Sequence, residues 1–192
     1  MLSLATVSLA SLWLPVVLSS VAVFVLAALM WMVVGHHAKD WVKLPAEDRV
    51  MDALRAQQVS AGQYVFPCCD DQKQMNTPEF QAKYAAGPSG YLYVKKPGPF
   101  SMAPMLLQSI VFYLVVSTLV AHLANAALPA GASFKLVFHY VAIATWLAYA
   151  AGQTWAVIWS GHTWSHTLRC MLDCLVYAAA TGALFAWRWP AS

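Results

Sequence analysis

Residues 160–174, with the sequence SGHTWSHTLRCMLDC, contain side chains that could bind a metal ion or transfer protons. Two histidines and two cysteines, which are ligand types for zinc and other transition metals, occur within fifteen positions. An arginine and an aspartate lie between and beside them. The same residue types also occur at the polar end of a membrane helix, so the elements that position them decide which chemistry is open to them.

Six side chains are candidates for a metal site. They are His36, His37, Cys68, Cys69, His162 and His166. Zinc sites usually contain a C-x2-C or an HExxH motif, and the sequence contains neither. The spacing therefore favours histidines at a membrane interface, and a metal site formed by this His/Cys cluster is the alternative.

Arg169 and Asp173 are four residues apart, so they share one face of a helix. A charged side chain inside a membrane helix costs about 2.5–3.5 kcal/mol on insertion scales, which favours an orientation toward other helices. Gln153 and Gln108 fall at a similar depth in two other apolar segments. We predict a polar layer of these four side chains that holds the helices together, with a proton-relay or transport carboxylate as the alternative.

His122 and His139 fall at matching depths in neighbouring apolar segments, where two histidines could ligate a haem. Nothing in the sequence indicates a pocket for one. Histidines bonded to the backbone or to lipid headgroups are the favoured interpretation. No cofactor is expected, and a haem or a transition metal is the alternative.

Composition identifies the elements that carry these side chains. The chain has 192 residues, of which 60% are hydrophobic and 10% are charged, whereas soluble domains carry about 25% charged residues. A helix needs about 20 apolar residues to cross a membrane. Four stretches qualify, at 13–35, 104–127, 135–159 and 167–189. The predicted fold class is an all-α integral membrane protein with four transmembrane helices.

The spans divide the chain into a first transmembrane helix (1–35), a polar insert (36–103) and a region with helices 2–4 (104–192). The insert carries most of the basic residues: Lys39, Lys43, Arg49, Arg55, Lys73, Lys83, Lys95 and Lys96. Because basic residues near membrane ends favour the cytoplasmic side, we predict a cytoplasmic insert. Both termini then face outside.

Two segments of the insert have the pattern of short helices. The first is LPAEDRVMDALRAQQ, in which Pro45 suits the first helical position. The second is NTPEFQAKYAAG, with Thr77 as the cap, Pro78 at the first position and Gly87 as the stop. The segment GYLYVKKPGP is extended at most.

The last apolar segment resembles the C-terminal signature of an uncharacterised family of small bacterial four-span membrane proteins. The matching residues are Trp164, Ser165, Thr167, Leu168, Arg169, Asp173, Leu175, Tyr177, Thr181, Gly182, Trp187, Trp189 and Pro190. Upstream, NTPEFQAKYAAGPSG and KKPGPFSMAPML are similar to the family's insert and its entry into helix 2. The resemblance implies a capped helix start with Ser165 as the cap, and it implies no activity.

The leading functional hypothesis is a non-catalytic accessory subunit of a larger bacterial membrane complex, respiratory or photosynthetic, in contact with lipids. The sequence has no nucleophile elbow, Walker loop, HExxH motif or dinucleotide fingerprint, so an enzyme is not predicted. A net charge of +3 gives no indication of nucleic-acid binding. The alternative is a small redox or metal-handling membrane protein that uses the cytoplasmic His/Cys cluster or a bis-His haem.

Overall fold

The computed structural model describes residues 7–191. Within them, four helices are long and apolar enough to cross a membrane: Leu9–Val34, Ala103–Ala127, Phe134–Ser160 and Trp164–Trp187. Their length and composition confirm the four predicted spans and the multi-pass class. The fourth begins three residues before its predicted start at 167.

The first span is built around α1 (Trp13–Leu29), with a 3-10 turn before it and a π-helical turn, Met30–Val34, after it. Gly35 ends the span with a φ of 69°. Glycine adopts this left-handed conformation without the steric cost of a Cβ atom. The chain then makes two successive turns, with the Ala38 amide bonded to the Gly35 carbonyl and the Asp40 amide to the His37 carbonyl.

The chain divides into two compact units, of which the smaller consists of Val42–Phe100 with Trp159–Gly161. Its elements in chain order are α2 (Glu47–Ala56), β1 (Gly62–Phe66), α3 (Pro78–Ala86) and β2 (Gly90–Val94). The two strands form an antiparallel sheet in which Gly62 lies opposite Val94 and Phe66 opposite Gly90. This small sheet is an addition to the predicted all-α class. The sequence pattern did not predict it, because strand pairing joins segments that are distant in sequence.

Of the two helix starts predicted in this unit, one lies at its predicted position and the other does not. At α3 the Thr77 hydroxyl oxygen accepts a hydrogen bond from the Phe80 amide, and Gly87 follows the last turn, as the sequence predicts. At α2 the helix begins only at Glu47, after Ala46 in a left-handed conformation. Pro45 therefore lies before the helix and not at its predicted first position.

The larger unit contains the remaining spans. The second is α4 (Ala103–Ala127), and the fourth is α7 (Trp164–Trp187). The third consists of α5 (Phe134–Trp146), a π-helical turn and α6 (Gln153–Ser160). Helix α1 contacts α4 and α7, and α5 contacts the same two helices, so the spans form a closed four-helix bundle.

The interior of the bundle is apolar and closely packed toward the end that carries the C-terminus. Leu12, Val120, Val137, Val141 and Phe185 are almost completely buried and belong to one cluster. Van der Waals contact among these apolar side chains holds the spans together in lipid.

Gly182 sets the approach of α7 to α5. A Cβ atom at this position would lie 2.9 Å from the Phe138 carbonyl oxygen and 3.1 Å from the Ala142 Cβ atom. We expect Gly182→Ala to lower the melting temperature in detergent, because overpacking costs about 1–3 kcal/mol. Gly152→Ala is the matched control, since nothing lies within 4 Å of a Cβ atom there and its φ of −64° is helical. Equal melting temperatures for the two variants would contradict the close approach.

Candidate functional site

A cluster of ionisable side chains lies where the first span ends and α7 begins, within the larger unit. The turn after the first span and one face of α7 supply its members, which we call the histidine–carboxylate cluster: His36, His37, Asp40, His166, Arg169, Cys170 and Asp173. The four positions on α7 are spaced by three, one and three residues, which places them on one helical face. The cluster therefore joins a loop and a helix that are distant in sequence.

Local structure at both ends holds the cluster in place. Thr163 caps α7, because its hydroxyl oxygen accepts a hydrogen bond from the His166 amide. Ser165, the predicted cap, is instead an exposed residue in the first turn. The helix starts two residues earlier than a cap at Ser165 requires. On the opposite side, the rings of Trp31 and His37 stack with centroids 4.0 Å apart and an interplanar angle of 7°.

Asp173 binds two imidazole rings. Its Oδ1 lies 2.8 Å from Nε2 of His36, and its Oδ2 lies 2.9 Å from Nε2 of His37. The Asp173 side chain is only 3% exposed, whereas that of His36 is 26% exposed. This carboxylate is therefore enclosed by protein and approached from one side through His36.

Asp40 is the second carboxylate of the cluster, and its side chain is fully enclosed. Its Oδ2 lies 2.5 Å from Nδ1 of His37 and 2.7 Å from Nδ1 of His166, and its Oδ1 accepts a hydrogen bond from Arg169. Burial raises the pKa of this carboxyl, but the three hydrogen bonds and the Arg169 charge outweigh burial and hold the pKa well below its ordinary value. Asp40 is therefore ionised.

His37 lies between the two carboxylates, and each of its ring nitrogens faces a carboxylate oxygen. Ionised carboxylate oxygens only accept, so this geometry favours a ring in which both nitrogens carry a proton. Burial lowers the pKa of His37, but hydrogen bonds to Asp40 and Asp173 and their charges leave it above its ordinary value. The cluster without a metal thus balances two carboxylates with His37 and Arg169.

Two overlapping sets of three side chains in the described part of the chain could hold a metal ion. One consists of His36, His37 and Asp173, and the other of His37, His166 and Cys170, with ligand atoms within 4.8 Å of one another in each set. The first is a set of two histidines and one carboxylate, which leaves positions open on a metal. Asp40 on Nδ1 of His37 is the type of partner that orients a ligating imidazole.

The predicted polar layer is not formed. Arg169 binds Asp40 and not Asp173, because its long side chain reaches back toward the start of α7 while the short Asp173 side chain stays deeper. Gln153 donates to the Tyr149 carbonyl at 2.9 Å and to the sulfur of Cys174 at 3.6 Å. Gln108 is exposed on α4.

The six candidates for the predicted metal alternative are divided between the cluster and other parts of the chain. The structure brings together His36, His37 and His166. His162 is exposed, its ring centroid is 6.3 Å from that of His166, and it belongs to neither set of ligands. The remaining two candidates, Cys68 and Cys69, lie in the smaller unit and are also outside both sets.

The two histidines of the predicted haem alternative lie outside the cluster. His122 and His139 are both exposed. Across residues 7–191 no hydrogen bond or ion pair involves either side chain.

We did not predict that three residues belong to a single site. They are Asp40, Asp173 as a partner of histidine, and Cys170 as a partner of His166. Asp40 lies three residues after His37 in the segment GHHAKD. A histidine pair followed by an aspartate at a membrane end was the available signal. This signal indicates a site only in combination with α7, whose side chains lie opposite the histidine pair.

No protein-family model, curated protein or solved structure matches the chain. The geometry of the histidine–carboxylate cluster is therefore the basis for a functional conclusion.

Proposed function

We propose that this protein is a metal-handling membrane protein that binds a divalent transition-metal ion through His36, His37 and Asp173. The observation that carries the proposal is that one enclosed carboxylate faces two imidazole Nε2 atoms at 2.8 and 2.9 Å. This proposal takes the alternative of the sequence analysis and changes its ligands, because Asp173 replaces the two cysteines of the insert.

The donor types fit a borderline divalent cation. Two neutral imidazoles and one carboxylate are the ligands of catalytic zinc sites and of non-haem iron(II) sites, which keep further positions open. Asp40 would hold His37 from behind through Nδ1, and Arg169 and His166 hold Asp40 in turn. Such outer partners fix the tautomer and the orientation of the ligating ring.

The charge of the cluster is compatible with a bound cation. With its histidines neutral, as metal binding requires, the cluster contains two carboxylates and one guanidinium. It then carries one excess negative charge in a largely enclosed environment. A divalent cation would take over the positive charge that the His37 proton supplies in the metal-free cluster, whereas an anion would add to the excess.

The site would lie on the cytoplasmic side of a bacterial inner membrane. Lys39 and Lys43 directly follow the histidine pair in the sequence, and basic residues next to a span favour the cytoplasmic face. The partly exposed His36 would be the point of access for an ion from that side.

Metal binding by the purified, chelator-treated protein in detergent tests the proposal. We expect one Co²⁺ per chain by elemental analysis, with the visible absorption of low-coordinate cobalt. His36→Ala should lower the affinity by more than the ~10–100-fold that follows loss of an outer partner. His139→Ala removes an exposed histidine outside the cluster and should leave binding unchanged.

Substoichiometric cobalt in the unmodified protein would overturn the proposal. So would an equal loss of affinity in the two histidine variants, since this would place the metal elsewhere or show nonspecific binding to surface imidazoles.

A further inference from the structure

We infer that the cluster has a second binding mode, in which His37, His166 and Cys170 hold a soft monovalent cation such as cuprous ion in place of the divalent one. This inference rests on the proposed function for the competition between the two ions. It concerns the second set of ligands, which consists of His37, His166 and Cys170 and does not include Asp173.

Two members of the second set, His166 and Cys170, lie on α7, which fixes their relative positions. Cys170 and His166 are four residues apart on the same helical face, with the sulfur 3.6 Å from Nε2 of His166. Cys170 is a free cysteine of intermediate exposure, and the His166 side chain is 18% exposed. An ion can therefore approach this pair without passing through the interior of the bundle.

The two sets differ in chemistry. A thiolate is a soft ligand that selects cuprous ion, whereas a carboxylate favours harder divalent ions. Cys170 and Asp173 lie on the same face of α7 and each offers the third ligand beside His37. The identity of the ion would thus decide whether sulfur or oxygen completes the site.

His37 makes the two modes mutually exclusive. Asp40 holds its Nδ1 at 2.5 Å, and the Trp31 ring stacked on its face fixes the plane of the imidazole. A ring with one nitrogen held by a carboxylate has a single nitrogen for a metal. Binding of the soft cation releases the divalent ion, and the thiol proton of Cys170 leaves to solvent without any change in oxidation state.

Displacement of Co²⁺ by Ag⁺, a soft monovalent cation that needs no reductant, tests the inference. The parent protein carries Cys68→Ser and Cys69→Ser, because these two free cysteines would also bind silver. We expect one equivalent of Ag⁺ to remove the visible absorption of bound cobalt and to release the cobalt. In the Cys170→Ser variant the Ag⁺ concentration needed should rise by more than the ~10–100-fold that follows loss of an outer partner.

Cys174→Ser is the matched control, since this free cysteine is one turn further along α7 and belongs to neither set. It should leave the displacement unchanged. Direct binding of Ag⁺ to the cobalt-free protein is measured in parallel, and Cys170→Ser should remove one equivalent.

Retention of both ions by one chain would overturn the inference, as would unchanged silver binding in the Cys170→Ser variant. A parent that binds no cobalt would contradict the proposed function. The direct silver measurement would then still decide whether Cys170 forms a soft site.

Discussion

Asp173→Leu is expected to abolish stoichiometric Co²⁺ binding and to lower the melting temperature strongly. The side chain is buried, and both of its oxygens bond to imidazoles. Its loss removes one ligand and leaves the His37 imidazolium with Asp40 alone. Removing one member of a buried charged pair costs roughly 3–5 kcal/mol. Elemental analysis and thermal unfolding in detergent measure the two effects.

Two further variants make this result specific to the carboxylate. Asp173→Asn keeps the size and a carbonyl acceptor, so it should recover part of the stability but not the metal. Leu172→Ala changes an exposed neighbour on α7 and should have little effect on either measurement. A leucine variant that still binds cobalt stoichiometrically would exclude the proposed ligand set.

The double variant Arg169→Met with Asp173→Leu tests whether Asp173 pairs with Arg169 or with the histidines. If Arg169 and Asp173 formed the pair that the sequence predicts, the double variant would recover much of the lost stability. In the structure Arg169 binds Asp40, so we expect the double variant to be no more stable than Asp173→Leu alone. Substantial recovery would favour the pairing predicted from the sequence.

Asp40→Asn is expected to weaken Co²⁺ binding by about 10–100-fold, the effect of losing an outer partner of a metal ligand. Asp40 is not a member of either set of ligands, but it holds Nδ1 of His37 and Nδ1 of His166. Asparagine has one acceptor oxygen and no charge, so it holds the His37 tautomer less firmly, and Arg169 loses its carboxylate partner. Cobalt titration in detergent measures the change in affinity.

Asp70→Asn is the matched control, because it removes an exposed carboxylate in the smaller unit. An unchanged affinity in the Asp40→Asn variant would show that His37 needs no outer partner. Complete loss of binding would instead make Asp40 a ligand. The melting temperature should also fall, and adding Arg169→Met should restore part of it by removing the unpaired guanidinium.

The accessory-subunit hypothesis concerns a different property of the protein and remains a prediction. A metal site at one end of the bundle is compatible with membership in a larger complex. Co-purification from native membranes would address the complex, whereas the metal measurements address the cluster.

The four spans and the helix α3 were determined by the sequence alone, because their signals are local. An apolar run of sufficient length crosses a membrane whatever its neighbours are. Thr77 and Gly87 supply the start and stop of α3 from within its own segment. The sequence also placed Arg169 and Asp173 on one helical face, since that follows from helical periodicity.

Only the tertiary structure decided which groups those two side chains meet. Asp173 binds His36 and His37 across 137 and 136 positions of sequence, and Arg169 binds Asp40 across 129. Helical periodicity defines a face but not what lies opposite to it. The choice between partners of similar charge depends on the left-handed turn at Gly35 and on the packing of α1 against α7. The buried charges take the partners that this packing brings within hydrogen-bonding distance.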